Sequence, residues 1–97
     1  MMPSMVDEKR KAELLQQMAV LQAELDELAR TDADRAKTIS GFAELSAHEA
    51  TRVRPHPELL RLSVAGLQKS VAEFEKTHPR LVEIVGSLSA LLSNIGL

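Results

Sequence analysis

The fold of this chain is decided by residues 14–28, which read LLQQMAVLQAELDEL. Apolar residues recur in this stretch at alternating intervals of four and three, and they are Leu14, Met18, Leu21, Leu25 and Leu28. This alternation places them on one face of an α-helix, as at the a and d positions of a coiled coil. We call these five residues the N-terminal seam. The seam predicts a helix over residues 7–30, with Asp7 and Glu8 suited to the positive end of its dipole.

Two later segments repeat the same spacing. The first segment begins after Pro57 and carries Leu60, Val64, Leu67, Val71 and Phe74. The second begins after Pro79 and carries Leu81, Val85, Leu88, Leu92 and Ile95. Proline is well tolerated in the first turn of a helix, so each segment predicts a helix that starts at its proline. Pro79 indicates either a break between two helices or a kink in one. Asn94 and Gly96 are predicted to terminate the last helix.

The middle of the chain has a weaker pattern. It predicts a helix over residues 32–51, capped by Thr31 and with an apolar face made of Ile39, Phe42, Ala43, Leu45 and Ala50. Gly41 interrupts that face at a cost of about 1 kcal/mol relative to alanine, so partly irregular structure is the alternative. Residues 52–57 contain two prolines and are predicted to be a linker between the two helical halves.

Composition agrees with a leucine-based helical core. Leu, Ile, Val and Phe together supply 27 of the 97 residues, a fraction too high for a disordered chain. The two phenylalanines are the only aromatic residues. The sequence therefore predicts a single all-α domain over residues 1–97, with residues 1–6 flexible. The expected architecture is an amphipathic helical hairpin or a small bundle of three to four helices, completed by self-association.

Catalytic and metal-binding patterns fail at specific positions. The chain has no cysteine, which excludes disulfides and thiolate metal ligands. The run His48-Glu49-Ala50-Thr51-Arg52 begins like a zinc-protease motif, but Arg52 stands where the second histidine ligand is needed. Glycine-rich phosphate loops and glycine-flanked serine nucleophiles are also missing from the sequence. We therefore predict no enzyme activity, no catalytic or metal-binding residue and no cofactor.

The remaining function class is an interaction protein. The formal net charge of −2 implies neither a polyanionic nor a polycationic partner. We expect a homo-oligomer, with a dimer favoured, in which the N-terminal seam takes part, together with binding to an unidentified protein. The alternative is an accessory protein for nucleic acid or a membrane surface that uses the basic region 52–80. The shortage of aromatic residues argues against nucleic acid, and the shortage of basic residues in the last helix argues against membranes.

The segment around His78-Pro79 is predicted to be structural. Phe74 is expected to be buried against the last helix, near Leu81 or Val85. His78 would occupy a cap-like position at the start of that helix, with Thr77 as a competing cap. The start of the chain shows no signal peptide, which leads us to expect a cytoplasmic protein.

The C-terminal third resembles a known family. The runs that carry the resemblance are Phe74-Glu75-Lys76-Thr77-His78-Pro79-Arg80-Leu81 and Leu91-Leu92-Ser93-Asn94-Ile95-Gly96-Leu97. They are similar to a family of short uncharacterised bacterial proteins that share a Phe-Glu-x-x-His-Pro-x-Leu run and a Leu-x-Asn-hydrophobic-Gly-hydrophobic terminus. The resemblance covers roughly residues 60–97. It implies a small, helical, bacterial and cytoplasmic protein with a domain of unknown function, and it transfers no activity to any residue.

Overall fold

The computed structural model describes residues 5–54 and 56–96. Within these residues there is no β-strand, and the all-α prediction is confirmed. A short 3₁₀ turn, Ala72–Phe74, follows the third helix. The α-helices are α1 (Met5–Ala29), α2 (Ala33–Ala50), α3 (Pro57–Val71) and α4 (Pro79–Gly96).

The helices run antiparallel to their neighbours. Near the start of α1, the Arg10 guanidinium donates a hydrogen bond to the Asn94 carbonyl near the end of α4, at 3.1 Å. Closer to the end of α1, Glu24 Oε2 lies 3.8 Å from Arg80 Nε at the start of α4. Each helix also packs against the next one in the chain, and α2 reaches across to α4. The result is an up-and-down four-helix bundle.

The core of the bundle contains the three predicted seams. Leu21, Leu67 and Leu88, from α1, α3 and α4, each have at most 1% of their surface exposed. Ile39 and Ala43 supply the contribution of α2 and are equally buried. Burying one leucine contributes about 1.5–3 kcal/mol, so the three leucine seams supply most of the apolar stabilisation.

The cap of α2 corrects one prediction. Asp32 caps this helix, because its Oδ1 accepts a hydrogen bond from the Arg35 amide at 3.1 Å. The predicted cap, Thr31, instead donates its hydroxyl proton to the Leu28 carbonyl at 3.2 Å. Thr31 therefore belongs to the end of α1, where free carbonyls need donors, and the prediction that it caps α2 was wrong.

Helix boundaries differ from the predicted ones by a few residues. The first helix starts at Met5 and not at residue 7. Of residues 1–6, which were predicted to be flexible, residues 5 and 6 belong to α1, and residues 1–4 lie outside the described residues, as does the Asp7 side chain. The second helix is continuous through Gly41. Pro79 separates two helices and does not kink a single one. Asn94 lies inside α4, which continues to Gly96, so the prediction that Asn94 terminates this helix was wrong.

Candidate interaction surface

The N-terminal seam lies in the interior of the single chain. Four of its members are buried, and Met18 is partly buried against them. The four buried members are Leu14, Leu21, Leu25 and Leu28. The four helices fold back on one another, so α2 and α4 cover this face of α1. The spacing of the seam is explained by packing within one chain. Although Leu14 and Met18 line a groove beside the exposed Leu15, the seam as a whole is occupied by packing within the chain and is not free for its predicted role as the contact between copies.

Exposed leucines are found on α1, where Leu15 is 72% exposed, and in a group where α2 meets α3. Leu62 has 65% of its surface exposed, and Leu45 and Leu59 have 48% each. Together with Phe42, Glu49 and Ser63 they line a groove of about 190 Å³. We call Phe42, Leu45, Leu59 and Leu62 the α2–α3 leucine surface. Single exposed leucines are ordinary on soluble proteins, whereas several in one groove are typical of a contact site.

A close approach between two helices shapes the groove. Phe42 of α2 lies against Gly66 of α3, where an added Cβ atom would come within 3.0 Å of three atoms of the Phe42 ring. Any residue with a side chain at this position would force the ring to shift. Gly66 therefore allows α2 and α3 to pack closely, and it holds the half-buried ring at the base of the leucine surface.

A charged pair borders one end of the groove. Glu49 is 5% exposed, which is uncommon for a carboxylate. Its two oxygens accept hydrogen bonds from the Arg52 guanidinium at 3.3 and 3.4 Å. Arg52 lies two residues beyond the end of α2, within reach of Glu49, and it partly neutralises a carboxylate that helix packing has removed from water.

The predicted structural residues of the C-terminal third lie away from this groove. Phe74 is buried in the 3₁₀ turn, as expected, and belongs to the same core as Leu81. The His78 carbonyl accepts the first hydrogen bond of α4, from the Val82 amide at 3.3 Å, which is the role of an N-cap backbone. The ring of His78 stands edge-on to Phe74 with centroids 5.5 Å apart. The sequence analysis did not anticipate this ring pair.

The Thr77 side chain contacts the ring of His78. The His78 Nδ1 atom lies 3.0 Å from the Thr77 hydroxyl, so these two side chains bind each other. Pro79 is the first residue of α4. Its missing amide proton costs nothing there, because the first amides of a helix have no partner within it.

The described part of the chain contains no cluster of three or more His, Asp or Glu side chains suited to a metal ion. Among the same residues, no helix is both long and apolar enough to cross a membrane.

Fold and surface together define a small all-α bundle with an exposed leucine groove. The chain belongs to the family described as "Domain of unknown function (DUF4404)", whose model matches residues 14–97. This confirms membership of an uncharacterised helical family. A search of curated proteins and a search of solved structures found no match to the chain.

Of the leucines of this surface, Leu45 was placed by the sequence analysis on the apolar face of α2, where it is in fact 48% exposed, whereas Leu59 and Leu62 were missed. Leu59 and Leu62 fall outside the four-three spacing of α3, next to Leu60, which belongs to it. Leucines beside a seam are a usable signal for a second apolar face. The sequence could not show whether a neighbouring helix covers that face.

Proposed function

We propose that this chain is a small non-enzymatic interaction protein that self-associates and binds protein through the α2–α3 leucine surface. The observation that carries the proposal is the exposure of Leu45, Leu59 and Leu62 around one groove, although the core seams of the bundle are buried. Apolar grooves between two helices are a common way to receive a partner helix.

The composition of the groove supports a protein partner. Its walls are aliphatic, and Phe42 provides an aromatic base. The buried core of a protein interface is more apolar than the rest of the surface and is enriched in aromatic residues. The Arg52 side chain at the border is 42% exposed and can provide polar contacts that fix the orientation of a partner.

A membrane-surface role is the second candidate, and one observation favours it. Val53 is 99% exposed and stands between Arg52 and Arg54 in the turn that connects α2 to α3. An apolar tip flanked by cations is a feature of surfaces that touch anionic lipids. Co-flotation with anionic vesicles that Val53→Asp abolishes would favour this candidate over the first.

The test of the first candidate compares two exposed leucines. Leu59→Lys changes the leucine surface, whereas Leu15→Lys changes a leucine on α1 that lines a different groove. Both variants should keep the wild-type helical content, because neither leucine belongs to the buried core. We expect Leu59→Lys to lose self-association in light scattering and to lose captured protein in pull-downs. Leu15→Lys should retain both. Equal behaviour of the two variants would refute the proposal.

A further inference from the structure

The outward face of α3 carries an ordered set of side chains. Glu58, Leu62, Ala65 and Lys69 follow one another at intervals of four, three and four residues, and all of them are exposed. At 3.6 residues per turn they form one stripe along the helix, on the side opposite the buried Leu67. We call these four residues the α3 stripe. Its spacing is that of a coiled-coil contact, but among the described residues no helix covers it.

The α3 stripe is complementary to the α3 stripe of a second copy that runs in the opposite direction. Glu58 lies as far before the midpoint of the stripe as Lys69 lies after it, and Leu62 and Ala65 are related in the same way. A two-fold axis at the midpoint would bring Glu58 opposite Lys69 of a second copy. The same axis would bring the large Leu62 opposite the small Ala65. A two-fold interface requires this kind of reciprocity, since residue i meets j and j meets i.

Both charged members of the stripe are available for such a contact. The ion pairs formed between described residues involve neither Glu58 nor Lys69. Leu59 and Leu45 flank the stripe on its α2 side, so apolar area of the leucine surface continues beyond Leu62. The stripe therefore supplies charge complementarity, and its flank supplies additional contact area.

We infer that the partner at this surface is a second copy of the chain, with the two α3 helices antiparallel about a two-fold axis between Leu62 and Ala65. The inference rests on the proposed function and names its partner. An acidic helix or an anionic lipid surface would attract Lys69 but would meet Glu58 with like charge. A second copy is the partner that satisfies both ends of the stripe at once.

Charge exchange tests the inference with a matched pair of variants. Glu58→Lys places lysine opposite lysine at both ends of the two-fold contact, and Lys69→Glu places glutamate opposite glutamate. Each variant alone should dimerise about tenfold more weakly than the wild type, measured by sedimentation equilibrium at low salt. In a mixture, the two stripe lysines of one variant face the two stripe glutamates of the other. The mixture should therefore form heterodimers with wild-type affinity, identified by native mass spectrometry.

Heterodimer formation separates the inference from any effect on folding, since a misfolded variant would not regain affinity on mixing. Leu62→Asp provides a second variant, and it should abolish the dimer while circular dichroism shows an intact bundle. A mixture that associates no better than its components would overturn the inference. The inference would also be overturned if the wild type is monomeric and Leu59→Lys still loses the captured protein. In that case protein binding through this surface would remain supported. A wild type that neither self-associates nor captures protein through this surface would refute both proposals.

Discussion

Replacing Gly66 with alanine should destabilise the bundle, whereas the same substitution at Gly41 should stabilise it. Both glycines lie inside α-helices, where alanine is favoured by about 1 kcal/mol. Their surroundings differ. The Cβ atom of an alanine at Gly41 meets no atom within 4 Å, whereas at Gly66 it would lie less than 3.0 Å from three ring atoms of Phe42.

The size of the effect follows from two opposing contributions. Forcing an extra methyl group into a packed contact costs about 1–3 kcal/mol, part of which helix propensity offsets. We expect Gly66→Ala to lower the free energy of unfolding by about 1 kcal/mol and Gly41→Ala to raise it by up to about 1 kcal/mol. The two variants should therefore differ by about 2 kcal/mol, or roughly 8–16 °C in melting temperature for a domain of this size.

Urea unfolding followed by circular dichroism measures both values, provided that the m-values match that of the wild type. Phe42→Leu removes the ring and should therefore make Gly66→Ala less harmful, which a double-mutant cycle detects. A Gly66→Ala protein as stable as Gly41→Ala would refute the close approach of Phe42 to α3, and with it the described shape of the groove.

Three other predictions test the fold. Phe74→Ala should cost about 3–5 kcal/mol in urea unfolding, because it empties a buried position, and an unchanged midpoint would show that the ring is exposed. Asp32→Ala should lower the free energy of unfolding by about 1 kcal/mol through loss of the α2 cap, and Thr31→Ala should cost less; the reverse order would restore Thr31 as the cap. Leu21→Asp combined with Leu25→Asp should abolish helical circular dichroism at every protein concentration, because the charges fall inside one chain; a folded monomer would contradict this.

The helices were predictable because amphipathic spacing is a local property of the sequence. The four-three alternation located α1, α3 and α4, and proline marked two of their starts. The packing partners of the N-terminal seam depend on how the short connections fold the chain back on itself. That is a property of the whole chain and cannot be read from local spacing. The predicted contact between copies therefore turned out to be part of the core of one chain.

The interaction surface depended on packing details that spacing cannot supply. Whether Leu59 and Leu62 are covered is decided by the position of α2, and that position depends on the contact between Phe42 and Gly66. The cap of α2 was missed by one residue for a related reason. Thr31 and Asp32 are both good capping residues, and the choice depends on where α1 ends.

Cysteine cross-linking tests the central claim, that copies of the chain meet through α3, most directly. The chain contains no cysteine, so a single substitution gives a single reactive site. Ala65→Cys places that site beside the inferred two-fold axis, and Ala23→Cys places a control site on the exposed side of α1. With a short bismaleimide linker, we predict a covalent dimer for Ala65→Cys that Leu62→Asp abolishes, and little product for Ala23→Cys. Equal yields from the two cysteine variants would contradict the account.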